Sequence, residues 1–259
     1  MRSSLAKPAD AYGRRMFTAR GKRSVPLYGV MLHTTGSSLP KSVGWDAKKA
    51  LKKAVDTYTR SGGPHYVIGW DGTAVATIAD EYTRGAHAGF GSHQSSKSYY
   101  DRGKGAWEKY VSDEGARLWH KQWPGKGSPT DLVPNRDLNK VNSYWLGIEM
   151  IPITAGGKNY AQPAYPGSRF TAAQHTKAAA LSRDIAARHG FPFGWANSPR
   201  LIGHSDINPI DRDHRDLPLW DPGYHTGLFD MGRVRGGGLW LIAGAAALML
   251  GFYASKHIK

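Results

Sequence analysis

The chain of 259 residues contains no cysteine. This excludes disulfide bonds, thiolate metal ligands and a cysteine nucleophile. Acidic residues are scarce: 20 Asp and Glu stand against 35 Lys and Arg, for a net charge of +15. A chain with that balance is drawn to polyanions such as nucleic acid, anionic lipid or the acidic polymers of a bacterial envelope. No nucleic-acid-binding motif is present, so no specific nucleic-acid partner is expected. The first 24 residues are basic and lack an apolar run, which excludes a secretory signal peptide there and predicts a disordered or loosely packed arm. No internal repeat is found.

Charge is also missing from one long stretch near the C-terminus. Between Gly236 and Ser255 no residue is charged. A helix of that length spans roughly 30 Å, the hydrocarbon thickness of a bilayer. Arg233 and Arg235 flank one end, Lys256, His257 and Lys259 the other, and Trp240 and Tyr253 stand near the two expected interfaces. Residues 239–255 are therefore expected to form a single transmembrane helix. A Gly/Arg linker over 231–238 joins it to the rest. Basic residues on both sides leave its orientation open.

What is present is a globular core. Hydrophobic residues make up 40% of the chain, and residues 25–230 read as one domain. Pro26–His33 reads as a buried strand. Asp46–Arg60 reads as a helix, with lysines on its outer face and Ser61-Gly62-Gly63-Pro64 as its stop. His65–Trp70 and Thr73–Ile78 read as strands joined at Asp71-Gly72, a hairpin signal. Tyr144–Ile151 and Leu201–His204 read as further strands. Thr171–His189 reads as a helix with a Thr171/Gln174 capping box and Gly190 at its end. Strands interleaved with helices predict an α/β fold with a mixed sheet. Residues 90–142 are polar and long for a connection, with one helix expected near Ala106–Lys121. They are expected to be an insertion lining the active-site cleft.

Three short stretches carry the chemistry: Leu32-His33-Thr34-Thr35-Gly36, Gly203-His204-Ser205-Asp206 and Trp220-Asp221-Pro222-Gly223. They supply two imidazoles and a carboxylate, the ligand count of a catalytic zinc site whose fourth position is left for water. His33 and His204 each stand at a strand end and converge if the strands are neighbours. Taken singly, each also fits a structural role, and with eleven histidines in the chain pairs arise by chance.

The order of motifs resembles the zinc-dependent N-acetylmuramoyl-L-alanine amidases, the type-2 amidase and peptidoglycan-recognition fold. The matching pieces are LHTTG at 32–36, GGPHYVIGWDGT at 62–73, GAHAG at 85–89, Asn142 with GIE at 147–149, FTAAQ at 170–174, GHSDINP at 203–209 and DPG at 221–223. The resemblance spans roughly residues 25–225. It implies a central mixed β-sheet flanked by helices, and cleavage of the amide between N-acetylmuramic acid and L-alanine in peptidoglycan. It places Zn2+ on His33, His204 and Asp221 and makes Glu149 the catalytic acidic residue. His65, His87 and Arg215 are candidate substrate-binding residues. Many relatives carry a lysine two residues before the last ligand, where this chain has Leu219. Arg212, His214, Arg215, His65 and His87 are candidates to replace it.

The sequence leaves two alternatives open: a non-catalytic peptidoglycan-binding module, and a bacterial envelope amidase or antibacterial effector. The amidase motifs combined with an anchor favour a phage virion or lysis enzyme held in a virion membrane or the host envelope. The sequence sets no oligomeric state.

Overall fold

The structure is a computed structural model, and it describes residues 1–18, 21–34, 47–88, 105–111, 113–151, 170–192 and 199–212. Six strands form one sheet: β1 (Lys7–Pro8), β2 (Gly29–Thr34), β3 (Tyr66–Ile68), β4 (Ala74–Ala76), β5 (Trp145–Met150) and β6 (Leu201–Gly203). The helices that matter for the site are α1 (Ala47–Ser61), α2 (Asp113–Gln122), α3 (Val141–Tyr144), α4 (Ala172–His189) and α5 (His204–Ile207). The spatial order of the strands is β1-β4-β3-β5-β2-β6. Among these described strands only the β3–β4 pair is antiparallel. This is the mixed α/β sheet read from the sequence. The β3–β4 connection turns at Gly72, whose φ of +78° suits glycine, with the Gly72 N–H donating to the Gly69 carbonyl at 2.9 Å.

Strand alternation divides the core in two. On one face, Leu32, Leu146, Ile148, Met150, Tyr66 and Ile68 pack against Phe170, Ala178, Leu181 and Ile185. Most of the latter belong to α4. That helix starts at the expected capping box: the Gln174 N–H donates to Thr171 Oγ1 at 3.1 Å, and the Thr171 N–H donates to Gln174 Oε1 at 3.0 Å. It ends at Gly190, with φ at +68°.

The other face carries two separate clusters. Helix α1 lays Ala50, Leu51, Ala54 and Val55 over Val67, Val75 and Ile151. Beside it, Met31, Trp145, Ile202 and Ile207 are covered by Trp107, Trp119, Trp123, Leu132 and Val141. This second layer is built by α2, a series of 3-10 turns and α3.

That layer corrects the reading of residues 90–142 as a polar insertion. Its described part, 105–111 and 113–142, is a core layer organised by buried tryptophans, with Trp107 and Trp119 edge to face at 4.9 Å. Windowed polarity conceals it because a few large rings do the burying. The N-terminal arm is corrected as well. Lys7–Pro8 pairs in parallel with Val75–Ala76, and Ser3, Ala6 and Ala9 are buried. Phe17 exchanges backbone hydrogen bonds with Thr77 and Ala79 at 2.9 and 3.1 Å. Backbone pairing holds this segment, and backbone pairing leaves no hydrophobic run to read.

Residues 213–259 lie outside the described residues. Asp221, Leu219, His214, Arg215, the 231–238 linker and the 239–255 segment are among them. Among the described residues no helix is long and apolar enough to cross a membrane.

Candidate active site

The site is assembled by register. On β2, His33 pairs with Glu149 of β5, and Glu149 pairs on its other side with Val67 of β3. Paired residues share a face, so the Glu149 carboxylate lies on the same face as the His33 imidazole. The sequence Trp145-Leu146-Gly147-Ile148-Glu149-Met150 alternates accordingly: Leu146, Ile148 and Met150 enter the opposite core, and Glu149 is left facing the histidines. On the far side of β2, Leu32 pairs with Gly203. The next residue, His204, begins α5. The His33 and His204 rings meet at 4.7 Å between centroids. His33, His204 and Glu149 are 2%, 1% and 7% exposed, so all three work in a water-poor setting. All three stand at the C-terminal ends of parallel strands, where open α/β sheets bind their ligands.

Two further histidines extend the row. His87 lies 5.0 Å from His33, and His65 lies 6.0 Å from His87, between ring centroids. Burial, aided by the nearby Arg23 charge, pushes His87 down to about 3, so its ring is neutral in any ordinary buffer. The Nε2–H of that neutral ring donates to the Trp145 carbonyl at 3.0 Å. Its Nδ1 is then an acceptor, and His33 Nε2 lies 3.0 Å from it. The arrangement assigns the His33 proton to Nε2 and its lone pair to Nδ1, since a neutral imidazole has one of each.

The supporting residues are specific. Asn142 Oδ1 accepts from the backbone N–H groups of both His87 and Ala88, at 2.9 and 2.7 Å, and so fixes that loop. The His87 ring lies directly over Gly147, where an added Cβ would collide with His87 Cγ. Asp206, fully buried, accepts from the Gly203 N–H at 2.8 Å and sets the turn that presents His204. The Asp206 carbonyl in turn accepts from Trp119 Nε1 at 2.8 Å, which ties the tryptophan layer to the site.

Arg23 is a hub, although it falls within the basic arm of the sequence reading. Its Nη1 donates to the carbonyls of Asn142, Ser143 and Trp145 at 3.2, 2.6 and 3.2 Å, and its Nε donates to the Glu81 carbonyl at 2.8 Å. These bonds gather the start of β5 and the chain before His87. Burial lowers Arg23 to about 10, against the opposing pull of Glu81 and Asp80, so it stays charged. No sequence signal marks Arg23. Asn142 and Asp206 do stand in the matched motifs, though the motifs assign them no role.

Of the expected site residues, the structure brings together His33, His204, Glu149 and His87. His65 does not face the site as a free group. Its Nε2 bonds to the Thr83 carbonyl at 2.8 Å, and the Gly147 N–H donates to its Nδ1 at 3.4 Å. Burial, with the neighbouring Arg23 and His87, lowers its basicity well below the usual value. His65, a candidate substrate contact in the sequence, is thus buried and bonded into the scaffold. Asp221 and Arg215 lie outside the described residues. Among the described residues no group of three His, Cys, Asp or Glu side chains can hold a metal.

The sequence profile of the N-acetylmuramoyl-L-alanine amidases matches residues 23–223. The chain belongs to this amidase family. The match begins at Arg23, the hub residue, and ends at Gly223, just after Asp221. No curated protein sequence matches the chain significantly. Among solved structures, the endolysin amidase LysCS from Clostridium intestinale URNW is similar at 16% identity and a TM-score of 0.37, covering 86% of this chain and 94% of that one. Drosophila peptidoglycan recognition protein SD is similar at 13% identity and a TM-score of 0.41, covering 84% and 96%. Drosophila peptidoglycan recognition protein SA is similar at 13% identity and a TM-score of 0.38, covering 74% and 76%.

The described donors of the amidase site suit a zinc ion. Two imidazoles from adjacent strands converge, and a carboxylate faces them on the third strand. Among the described residues no third ligand stands with the two imidazoles.

Proposed function

We propose that the protein is a zinc-dependent peptidoglycan amidase that cleaves the bond between the lactyl group of N-acetylmuramic acid and L-alanine. The observation that carries this reading is the register of β2, β5 and β6, which sets Glu149 across from His33 and brings His204 against it. His33, His204 and Asp221 hold the metal. A zinc ion bound there supplies Lewis acidity toward the amide carbonyl and makes a water more acidic.

The remaining work falls to the chain's own residues. Glu149 accepts a proton as the water oxygen attacks the carbonyl carbon. It then delivers that proton to the alanine nitrogen as the C–N bond breaks. The products are the lactyl carboxylic acid and a stem peptide with a free amine. Burial of Glu149 keeps bulk water from competing for that proton. His87 holds His33 in the tautomer that offers Nδ1. Arg215 is the proposed cationic contact to substrate where relatives use a lysine at the position of Leu219.

The wider setting is part of the same proposal. Residues 239–255 anchor the enzyme in a membrane, and the pairing of anchor and amidase suits a phage virion or lysis enzyme.

The test is mass spectrometry of purified sacculi digested with the wild type, with Glu149→Gln and with chelator-treated protein. The expected result is release of stem peptides bearing a free L-alanine amine, lost in both controls, with zinc still bound by Glu149→Gln. Binding to sacculi with no cleavage by the wild type would overturn the enzymatic reading in favour of a recognition module.

A further inference from the structure

A cavity of about 400 Å³ is lined by residues 22–27 together with Asp80 and Tyr82. Sites for small molecules occupy about 300–1,000 Å³, so the cavity has the room of one. Strand direction fixes its place. Residues 22–27 lead into β2, which starts at Gly29, and Asp80 and Tyr82 follow β4. Because β4 is antiparallel to β3, its C-terminal end lies beside the N-terminal ends of the parallel strands. His33 and Glu149 stand at the opposite ends of β2 and β5. The six residues of β2 separate the two edges by about 20 Å. A small ligand in this cavity does not reach Glu149.

The lining combines an apolar wall, an aromatic ring and positive charge. Val25 and Leu27 are half-buried, each packed against a different core cluster. Tyr82 is 47% exposed, and His189 supports its ring edge to face at 5.3 Å. An exposed tyrosine presents an apolar face and a polar tip, which suits the C–H face and hydroxyls of a sugar ring. Lys22 is exposed, and behind it Arg23 holds a fixed charge. Arg23 Nη2 meets His65 Nε2 at 3.0 Å, but that nitrogen gives its own proton to the Thr83 carbonyl, since His65 Nδ1 accepts from Gly147. The Nη2 donors therefore have no acceptor among the described residues. Asp80, the one carboxylate of the lining, is already paired with the Met1 ammonium at 2.6 Å and accepts the Tyr82 N–H at 3.1 Å. The balance of charge favours an anion.

We propose that this cavity binds an acidic amino sugar, N-acetylmuramic acid whose lactyl carboxylate is free, with the pyranose against Tyr82 and the carboxylate toward Lys22 and Arg23. The inference rests on the amidase reading for the identity of the sugar. Cleavage of the stem amide frees that carboxylate, so the cavity distinguishes a cut glycan strand from an uncut one. Its distance from Glu149 lets the enzyme hold a stripped strand while cutting a neighbouring one.

The experiment is saturation-transfer NMR of N-acetylmuramic acid with the full-length chain in detergent, carrying Glu149→Gln and treated with chelator to silence the catalytic centre. N-acetylglucosamine, which lacks the lactyl group, and D-lactate, which lacks the sugar, are the comparison ligands. N-acetylmuramic acid is expected to bind at least about fivefold more tightly than either. Lys22→Gln should weaken it about fivefold and Tyr82→Ala about tenfold, with Lys22→Arg and Tyr82→Phe binding like the parent. Thermal melting checks that each variant is folded. Equal binding of N-acetylglucosamine or of D-lactate overturns the proposal. So does undiminished binding by folded Lys22→Gln and Tyr82→Ala proteins. Binding seen only before chelation overturns it as well, because the sugar then sits at the catalytic centre. Failure of the amidase reading shows separately, as absence of free L-alanine amines when sacculi are digested with the Glu149-containing enzyme.

Discussion

Glu81 predicts a measurable acid lability that is independent of catalysis. Its carboxylate is 2% exposed and receives Arg188 Nη2 at 2.7 Å, a second Arg188 nitrogen, His189 Nε2 at 2.7 Å and the Tyr66 hydroxyl. Burial alone would raise its pKa. The hydrogen bonds from His189, Arg188 and Tyr66, with the Arg188 charge, outweigh burial and bring it from 4.5 to about 2. A carboxylate depressed in the folded state stabilises the fold fully above its unfolded pKa, and that stabilisation is lost as pH falls through the folded value. The gap is worth about 3 kcal/mol at neutral pH, and about 2 kcal/mol of it is gone by pH 3. Removing one partner of a buried ion pair costs about 3–5 kcal/mol, so Glu81→Gln should be destabilised by that much at pH 7. The difference between wild type and variant should narrow by about 2 kcal/mol between pH 7 and pH 3. Urea unfolding followed by far-UV circular dichroism at pH 7, 5, 4 and 3 measures it. Parallel pH profiles for the two proteins would refute the reasoning. Because Tyr66 and α4 lie on the sheet face opposite Glu149, the proposed zinc binding at pH 7 should not change while the variant is folded.

The remaining predictions concern the site and rest on the proposed zinc binding. Gly147→Ala forces a Cβ into the His87 ring, so it should destabilise the fold by about 1–3 kcal/mol and weaken zinc binding through displaced His87, checked by melting and chelator competition. His87→Leu removes the acceptor for His33 Nε2 and should weaken zinc binding about 10- to 100-fold, whereas His87→Asn, which keeps an acceptor near the Nδ1 position, should recover much of it. Equal losses in the Leu and Asn variants would show that ring volume, rather than the hydrogen bond, matters.

Much of this protein can be read locally because the governing forces are local. The alternation of Trp145 to Met150 separates Glu149 from its apolar neighbours. Thr171 and Gln174 cap a helix within one turn, and Asp71 and Gly72 make the β3–β4 turn between them. Motif order is enough to nominate His33, His204 and Glu149. What the sequence cannot decide depends on contacts far apart in the chain. Only the strand order β3-β5-β2-β6 brings Glu149, His33 and His204 side by side. Arg23 reads as one more basic residue of an arm until its carbonyl partners at 142–145 are in place. The buried tryptophans at 107, 119, 123 and 145 look scattered until they close over one face of the sheet. His65 and His87 look equivalent in sequence. Their different backbone partners make the first part of the scaffold and the second a support for His33, because an imidazole's role is set by what each of its nitrogens meets.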